Sequence, residues 1–142
     1  MKLKLNRPMV FFDLETTGTN IATDRIVEIS AIKLNPNGSQ EILTKRINPG
    51  MPIPAEATSI HGITDDDVKD CRAFKDLATE FKAFMAGCDL AGYNILHFDL
   101  PLLVEEMLRA GIDNFPEPGT RYIDAMSIFH HFEKRDLTAA VK

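Results

Sequence analysis

The segment MVFFDLETTG, Met9 to Gly18, constrains the fold of this chain more than any other. Four apolar or aromatic residues, Met9 to Phe12, run directly into Asp13; Glu15 follows one residue later, and then Thr16-Thr17-Gly18. A short apolar run bounded by Pro8 and by a Thr-Thr-Gly turn reads as a buried strand, Met9–Leu14. Alternate residues of a strand share a face, so Asp13 and Glu15 project together while Leu14 points the other way. Two carboxylates held that close repel each other, and one normally stays protonated. A hard cation removes the penalty: Mg²⁺ and Mn²⁺ choose oxygen ligands and are held by one or two carboxylates, with water and phosphate completing the shell. The competing interpretation is an acidic turn that merely closes a strand. Hydroxyls, open backbone N–H groups and a glycine that lets a ligand come close all favour a site.

The rest of the composition limits what such a site can serve. A chain of 142 residues fits one domain and buries roughly 68% of its unfolded surface, enough for a genuine core. The net charge of −5 argues against holding nucleic acid by bulk electrostatics, but not against an enzyme whose bound cations supply positive charge locally. Cys71 and Cys88 lack metal-ligand spacing and read as reduced structural thiols. No apolar run is long enough for a membrane span, and MKLKLNRP lacks the apolar stretch of a secretory signal, so no membrane association and a cytoplasmic location are expected.

Periodicity places the remaining elements. Arg25–Leu34 and Glu41–Ile47 read as strands flanking the turn Asn35-Pro36-Asn37-Gly38, giving an antiparallel meander of three strands. Asn48–Pro54 is a loop. Phe74–Met85 is an amphipathic helix with Phe74, Leu77, Ala78, Phe81, Phe84 and Met85 on one face. Asp89–Tyr93 is a short strand. Leu100–Ala110 is a second amphipathic helix, with Leu100, Leu103, Val104, Met107 and Leu108 on one face. Tyr122–Asp124 is a short strand and Ala125–Phe132 a helix. A further helix begins at Asp136, an N-cap type of residue. Three strands followed by alternating helices and strands predict an α/β fold with a mixed sheet.

Two further stretches carry chemistry. In AGYNILHFDLPLL, Ala91 to Leu103, Asp99 closes a strand-loop segment and opens a helix. Alone it reads as an N-cap, but its place at a strand mouth matches that of Asp13. Three acids on neighbouring strand ends can hold two metal ions. In IPAEATSIHGIT, Ile53 to Thr64, Glu56 and His61 are ordinary loop residues when taken singly. Asp65-Asp66-Asp67 caps a short helix or turn, and Asp124 reads as structural.

Together, FFDLETTG, IHGIT and GYNILHFD resemble the successive motifs of the DnaQ-like, DEDD-type 3′–5′ exonucleases, in the subfamily that includes proofreading enzymes. The resemblance covers about residues 8 to 140 and implies a ribonuclease-H-like fold. It implies that Asp13, Glu15 and Asp99 are catalytic carboxylates binding two Mg²⁺ or Mn²⁺ ions. Thr16, Thr17 and Gly18 would line the pocket of the 3′-terminal nucleotide, Glu56 and His61 would contact that nucleotide, and Asn94 and Phe98 would shape the second motif. The spacing from Asn94 to Asp99 is one residue longer than in some members. The implied activity releases nucleoside 5′-monophosphates from single-stranded 3′ ends of DNA or RNA, with a DNA polymerase as a possible partner.

The sequence departs from the pattern at the third motif, a His followed five residues later by an Asp, which serve as general base and fourth ligand. His131 and Asp136 match the count, but Asp136 reads better as the N-cap of RDLTAAVK, and a segment resembling RDLTAAVK precedes the third motif in the family. The expectation is a single exonuclease domain over 1–142 whose C-terminal part is missing, with an incomplete last helix and weak or no activity on its own. A rival interpretation is a non-catalytic nucleic-acid-binding or protein-interaction module on the same fold. Three clustered acids argue against it, because a pure binder would carry their repulsion uncompensated. A phosphatase using Asp13 as nucleophile would need a second acidic pair after a late apolar strand, and TDDDVKD has no such strand before it.

Overall fold

The computed structural model describes residues 5–125. Five strands form one mixed sheet in the order β3-β2-β1-β4-β5: β1 (Met9–Thr16), β2 (Ile26–Leu34), β3 (Gln40–Arg46), β4 (Asp89–Gly92) and β5 (Tyr122–Asp124). The first three form the predicted antiparallel meander, and β4 and β5 run parallel to β1. Alternation within β1 is as expected: Val10, Phe12 and Leu14 are buried, while Asp13 is exposed and Glu15 half-buried.

Helices α3 (Phe74–Met85) and α4 (Leu100–Arg109) cover the inner face of the sheet. Phe74, Leu77, Ala78, Phe81 and Met85 of α3 join Leu102, Leu103 and Met107 of α4 in one core with Val10, Phe12, Leu14 and Leu90. The face of α4 is largely the expected one, with Leu103 and Met107 buried and Leu100 and Val104 packed against the core, but it differs at one edge. Leu108 is 48% exposed, whereas Leu102 and Glu106 are buried. A carboxylate at position 106 disguises the true stripe, because a charged residue is assigned to the solvent side unless its partners are known.

Two short helices lie between β3 and α3, the first in a stretch that reads as loop and the second where a short helix or turn is expected. α1 (Ala55–His61) follows three prolines in six residues, and seven residues are too few for a periodic signal. α2 (Asp65–Val68) opens on a reciprocal capping box between Thr64 and Asp67, so the acidic run does cap a short helix. Both shelter a small second core of Val27, Ile53, Ala57, Ile63 and Val68. Val27 reaches it because β1 and β2 slip register between Glu15 and Thr16: Glu15 faces Glu28 and Thr16 faces Ile26, which leaves Val27 over. Bulges of this kind re-aim side chains beside functional sites. Apart from Ala125, the expected helices over 125–132 and from Asp136, together with His131 and Asp136, lie outside the described residues. No helix among the described residues is long and apolar enough to cross a membrane.

Candidate active site

β1 delivers Asp13 and Glu15 to the outer side of the sheet, at the end where its pairing with β4 has stopped. That pairing covers only Met9 to Phe11. β4 ends at Gly92, where space is tight: a Cβ there would lie 2.7 Å from the Phe12 carbonyl oxygen and would collide with Ile95. The chain turns through Asn94 in the left-handed conformation (φ 58°, ψ 29°), whose N–H donates to Asp124 Oδ1 at 2.9 Å. It then makes one π-helical turn, Ile95–Asp99, closed by the Leu100 N–H donating to the Ile95 carbonyl. A π turn holds one more residue than an α turn. The long spacing from Asn94 to Asp99 is taken up there.

The π turn brings Asp99 back against β1, where the Leu14 backbone N–H donates to its carboxylate. Asp99 is 6% exposed. Burial, then the charge of Asp13, and to a lesser degree Glu15 and Asp124, push its carboxyl up to about 7, with the Leu14 hydrogen bond opposing. Burial and the adjacent Asp13 also hold Glu15 above the usual carboxylate range; His61 opposes and Glu28 adds. The three acids therefore share one electrostatic neighbourhood. Among the described residues no group of three or more His, Cys, Asp or Glu side chains stands ready to hold a metal ion by itself. Mg²⁺-type sites do not require one, since water and phosphate oxygens supply most of the shell. A hard cation fits the donor set, because it would remove the mutual repulsion that raises Glu15 and Asp99.

Beside the acids lies an open cavity of about 430 Å³, within the ~300–1,000 Å³ range of small-molecule sites. Glu15, Thr16, Thr17 and Gly18 form one wall, Glu56, Ile60 and His61 of α1 another, and Phe98 of the π turn a third. Six of the seven residues expected to face the substrate, Thr16, Thr17, Gly18, Glu56, His61 and Phe98, thus meet around one space. Asn94 is not on its lining; it shapes the turn instead.

Local bonds refine several roles. The Thr17 hydroxyl is turned inward: it donates to Asp24 Oδ1 at 2.8 Å and accepts from the Arg25 N–H at 3.0 Å. The Thr16 hydroxyl donates to the Gly18 carbonyl. His61 buckles α1 to β1: its Nδ1 accepts from the Ile63 N–H at 3.0 Å, which leaves Nε2–H to donate to the Thr16 carbonyl at 3.0 Å. Both ring nitrogens are thus committed, so a ligand meets the face or carbon edge of the ring. Gly18 has an internal reason besides ligand access, since a Cβ there would stand 2.5 Å from Asp24 Oδ2.

A family model for RNase T-type exonucleases matches residues 10–142. The chain belongs to that exonuclease family. A DNA polymerase III subunit epsilon-like protein of Rhodobacter capsulatus is 38% identical over 113 residues, covering 77% of this chain and 16% of the relative. A PolC-type DNA polymerase III of Pediococcus pentosaceus is 29% identical over 109 residues, covering 77% of this chain but 8% of the relative. The chain thus spans a small part of the curated relatives it matches. Exonuclease I of E. coli in complex with a dT13 oligonucleotide superposes with a TM-score of 0.83 at 19% identity, over 94% of this chain and 31% of that one. Exonuclease I from Methylocaldum szegediense gives 0.83 at 20%, with the same coverage. The exonuclease-family chain therefore has the ribonuclease-H-like fold that the motif order implied.

Sequence reasoning missed Asp24, Ile60, Glu106 and Arg109. Asp24 lies in NIATDR, where an Asp in a polar turn carries no signal of its inward partners. Ile60 stands 84% exposed on the cavity rim, a position visible only once α1 is known.

Proposed function

We propose that this exonuclease-family protein hydrolyses single-stranded DNA or RNA from the 3′ end with Mg²⁺ or Mn²⁺, releasing nucleoside 5′-monophosphates. The observation that carries this reading is the convergence of Asp13, Glu15 and Asp99 beside a cavity of nucleotide size walled by Thr16–Gly18, α1 and Phe98. Asp13, Glu15 and Asp99 would hold two ions. Divalent ions bound there supply a water of lowered pKa and neutralise charge on the departing oxygen. β1 fixes Asp13 and Glu15 on one face, and the Leu14 N–H orients Asp99 toward them. The cavity would receive one terminal nucleotide; Phe98 and Ile60 would offer apolar surface to its base or sugar, and Glu56 and the His61 ring edge border the space. The names of the relatives, epsilon-like and PolC-type DNA polymerase III, support proofreading beside a replicative polymerase as the cellular role.

The test compares oligonucleotides labelled at the 3′ or the 5′ end, with Mn²⁺ and with EDTA. Early release of labelled mononucleotide from the 3′-labelled strand alone, abolished by EDTA and lowered about 10³-fold or more by D13N, E15Q or D99N, is expected. Release from the 5′ end, internal cuts or trimming that survives EDTA would contradict the reading. Metal-dependent binding without cleavage would instead support the non-catalytic module.

A further inference from the structure

Two buried carboxylates lie outside the candidate metal site among the described residues: Asp89, which pairs with Arg7 and Arg121, and Glu106. Glu106 is 3% exposed, one turn from the C-terminal end of α4, the helix whose N-terminal boundary is Asp99. Both of its oxygens are engaged. Oε2 accepts from the Ile26 N–H at 2.9 Å, and Oε1 pairs with Arg109 Nη1 at 3.1 Å. The Arg109 guanidinium then reaches over to the loop joining β1 and β2. It donates to the carbonyls of Ala22 (2.8 Å), Ile21 (3.4 Å) and Asp24 (3.4 Å). That loop in turn holds the cavity wall. Asp24 Oδ2 accepts from the Asn20 N–H at 2.8 Å, Oδ1 accepts from the Thr17 hydroxyl, and the carboxyl occupies the space a Gly18 side chain would need.

We propose that Glu106 and Arg109 are positioning residues, which act through the Ile21–Asp24 loop and the Asp24 carboxylate to set the Thr17–Gly18 wall against the acid at the head of α4. Seven residues, about 10 Å of helix, separate Asp99 from Glu106. One rigid helix thus fixes an acid at one end and, through a fork of donors at the other, the wall of the pocket. Two observations make this more than ordinary packing. A buried ion pair is costly unless its remaining donors and acceptors are met, and here the surplus donors all go to one loop. A forked guanidinium can also bridge several carbonyls at once, which a lysine ammonium at the same place cannot reproduce. The pair touches none of the three acids and meets the cavity lining only through Arg109 and the Asp24 carbonyl, so its effect belongs to nucleotide fit and not to metal affinity. The inference rests on the cavity being the nucleotide pocket.

The test measures three quantities in wild type, R109A, R109K and E106Q: the dissociation constant for Mn²⁺, that for a nucleoside 5′-monophosphate with Mn²⁺ present, and hydrogen exchange of the Asn20, Asp24 and Arg25 amides. Expected are nucleotide affinities about tenfold weaker in both R109A and R109K, Mn²⁺ affinity within about twofold of wild type, and loop amides exchanging about tenfold faster while β1 and β2 stay protected. E106Q keeps the acceptor for Ile26 and is expected to fall between them and wild type; it serves if R109A does not fold. R109K binding nucleotide like wild type would overturn the inference, since charge alone would then suffice. Unchanged nucleotide affinity despite a loosened loop would overturn it too, as would an equal loss of Mn²⁺ and nucleotide affinity. Wild-type protein that binds no mononucleotide would instead contradict the exonuclease reading of the cavity, and the claim about its wall would fall with it.

Discussion

Asp99 is 6% exposed, and its carboxyl shares that burial with the charges of Asp13, Glu15 and Asp124. Its folded-state pKa of about 7 lies above the ordinary 3.8, so the folded protein binds this proton more tightly than the unfolded chain does. Folding stability from this group is therefore full at acid pH and declines as pH rises from about 4 to about 7. In EDTA, D99N is predicted to be more stable than wild type by about 1–2 kcal/mol at pH ~8, after allowing for solvent reaching the carboxyl, with a smaller gap at pH ~5. Thermal unfolding at the two pH values checks it, and wild type equal to or above D99N at the higher pH would contradict it. Added Mn²⁺ is predicted to reverse the order, because it binds the folded wild-type site and not the variant. Residues that cost stability are common at functional sites, and a metal-binding role for Asp99 would fit that pattern. His61 contrasts with it. Its two ring nitrogens serve the Thr16 carbonyl and the Ile63 N–H, so its first duty is to hold α1 against β1.

At the level of elements, the turn after β4 decides where Asp99 stands. Gly92 packs so closely on the Phe12 carbonyl that G92A must push the turn away from β1. The predicted cost is about 1–3 kcal/mol, typical of overpacking, together with a loss of Mn²⁺ affinity larger than that of a core variant of equal stability. Denaturant unfolding and metal titration on the same samples check it; unchanged metal affinity would show that the turn does not aim Asp99. The strands and long helices were legible in the sequence because alternation in β1 and the stripe of α3 repeat over enough residues to be read. The π turn was not, since nothing in NILHFD distinguishes a five-residue turn from an ordinary one beyond a spacing one residue long. α1 is too short to show a period, and one edge of the α4 stripe is missed because Glu106 finds its partners in Ile26 and Arg109, residues that periodicity does not connect to it. At the site, the acids and the lining residues could be named from motifs, but the inward turn of the Thr17 hydroxyl depends on Asp24, which only the folded loop supplies.

For the molecule as a whole, a net charge of −5 leaves little room for a basic track along a nucleic-acid strand. Binding should then depend on ions at the three acids and on the fit of one terminal nucleotide. The predicted dependence of single-strand affinity on salt is shallow, a log–log slope of about −1, as for one or two neutralised phosphates, and removal of divalent ions should abolish binding. A slope several times steeper, or binding that persists in EDTA, would point to a separate basic surface. The central claim is that Asp13, Glu15 and Asp99 hold divalent ions beside a pocket for a terminal nucleotide, and anomalous diffraction from crystals soaked in Mn²⁺ and a nucleoside 5′-monophosphate tests it most directly. Manganese peaks bounded by those three carboxylates are expected, with the nucleotide against Thr16–Gly18, Phe98 and the His61 ring. Manganese elsewhere, or a nucleotide outside that cavity, would contradict it.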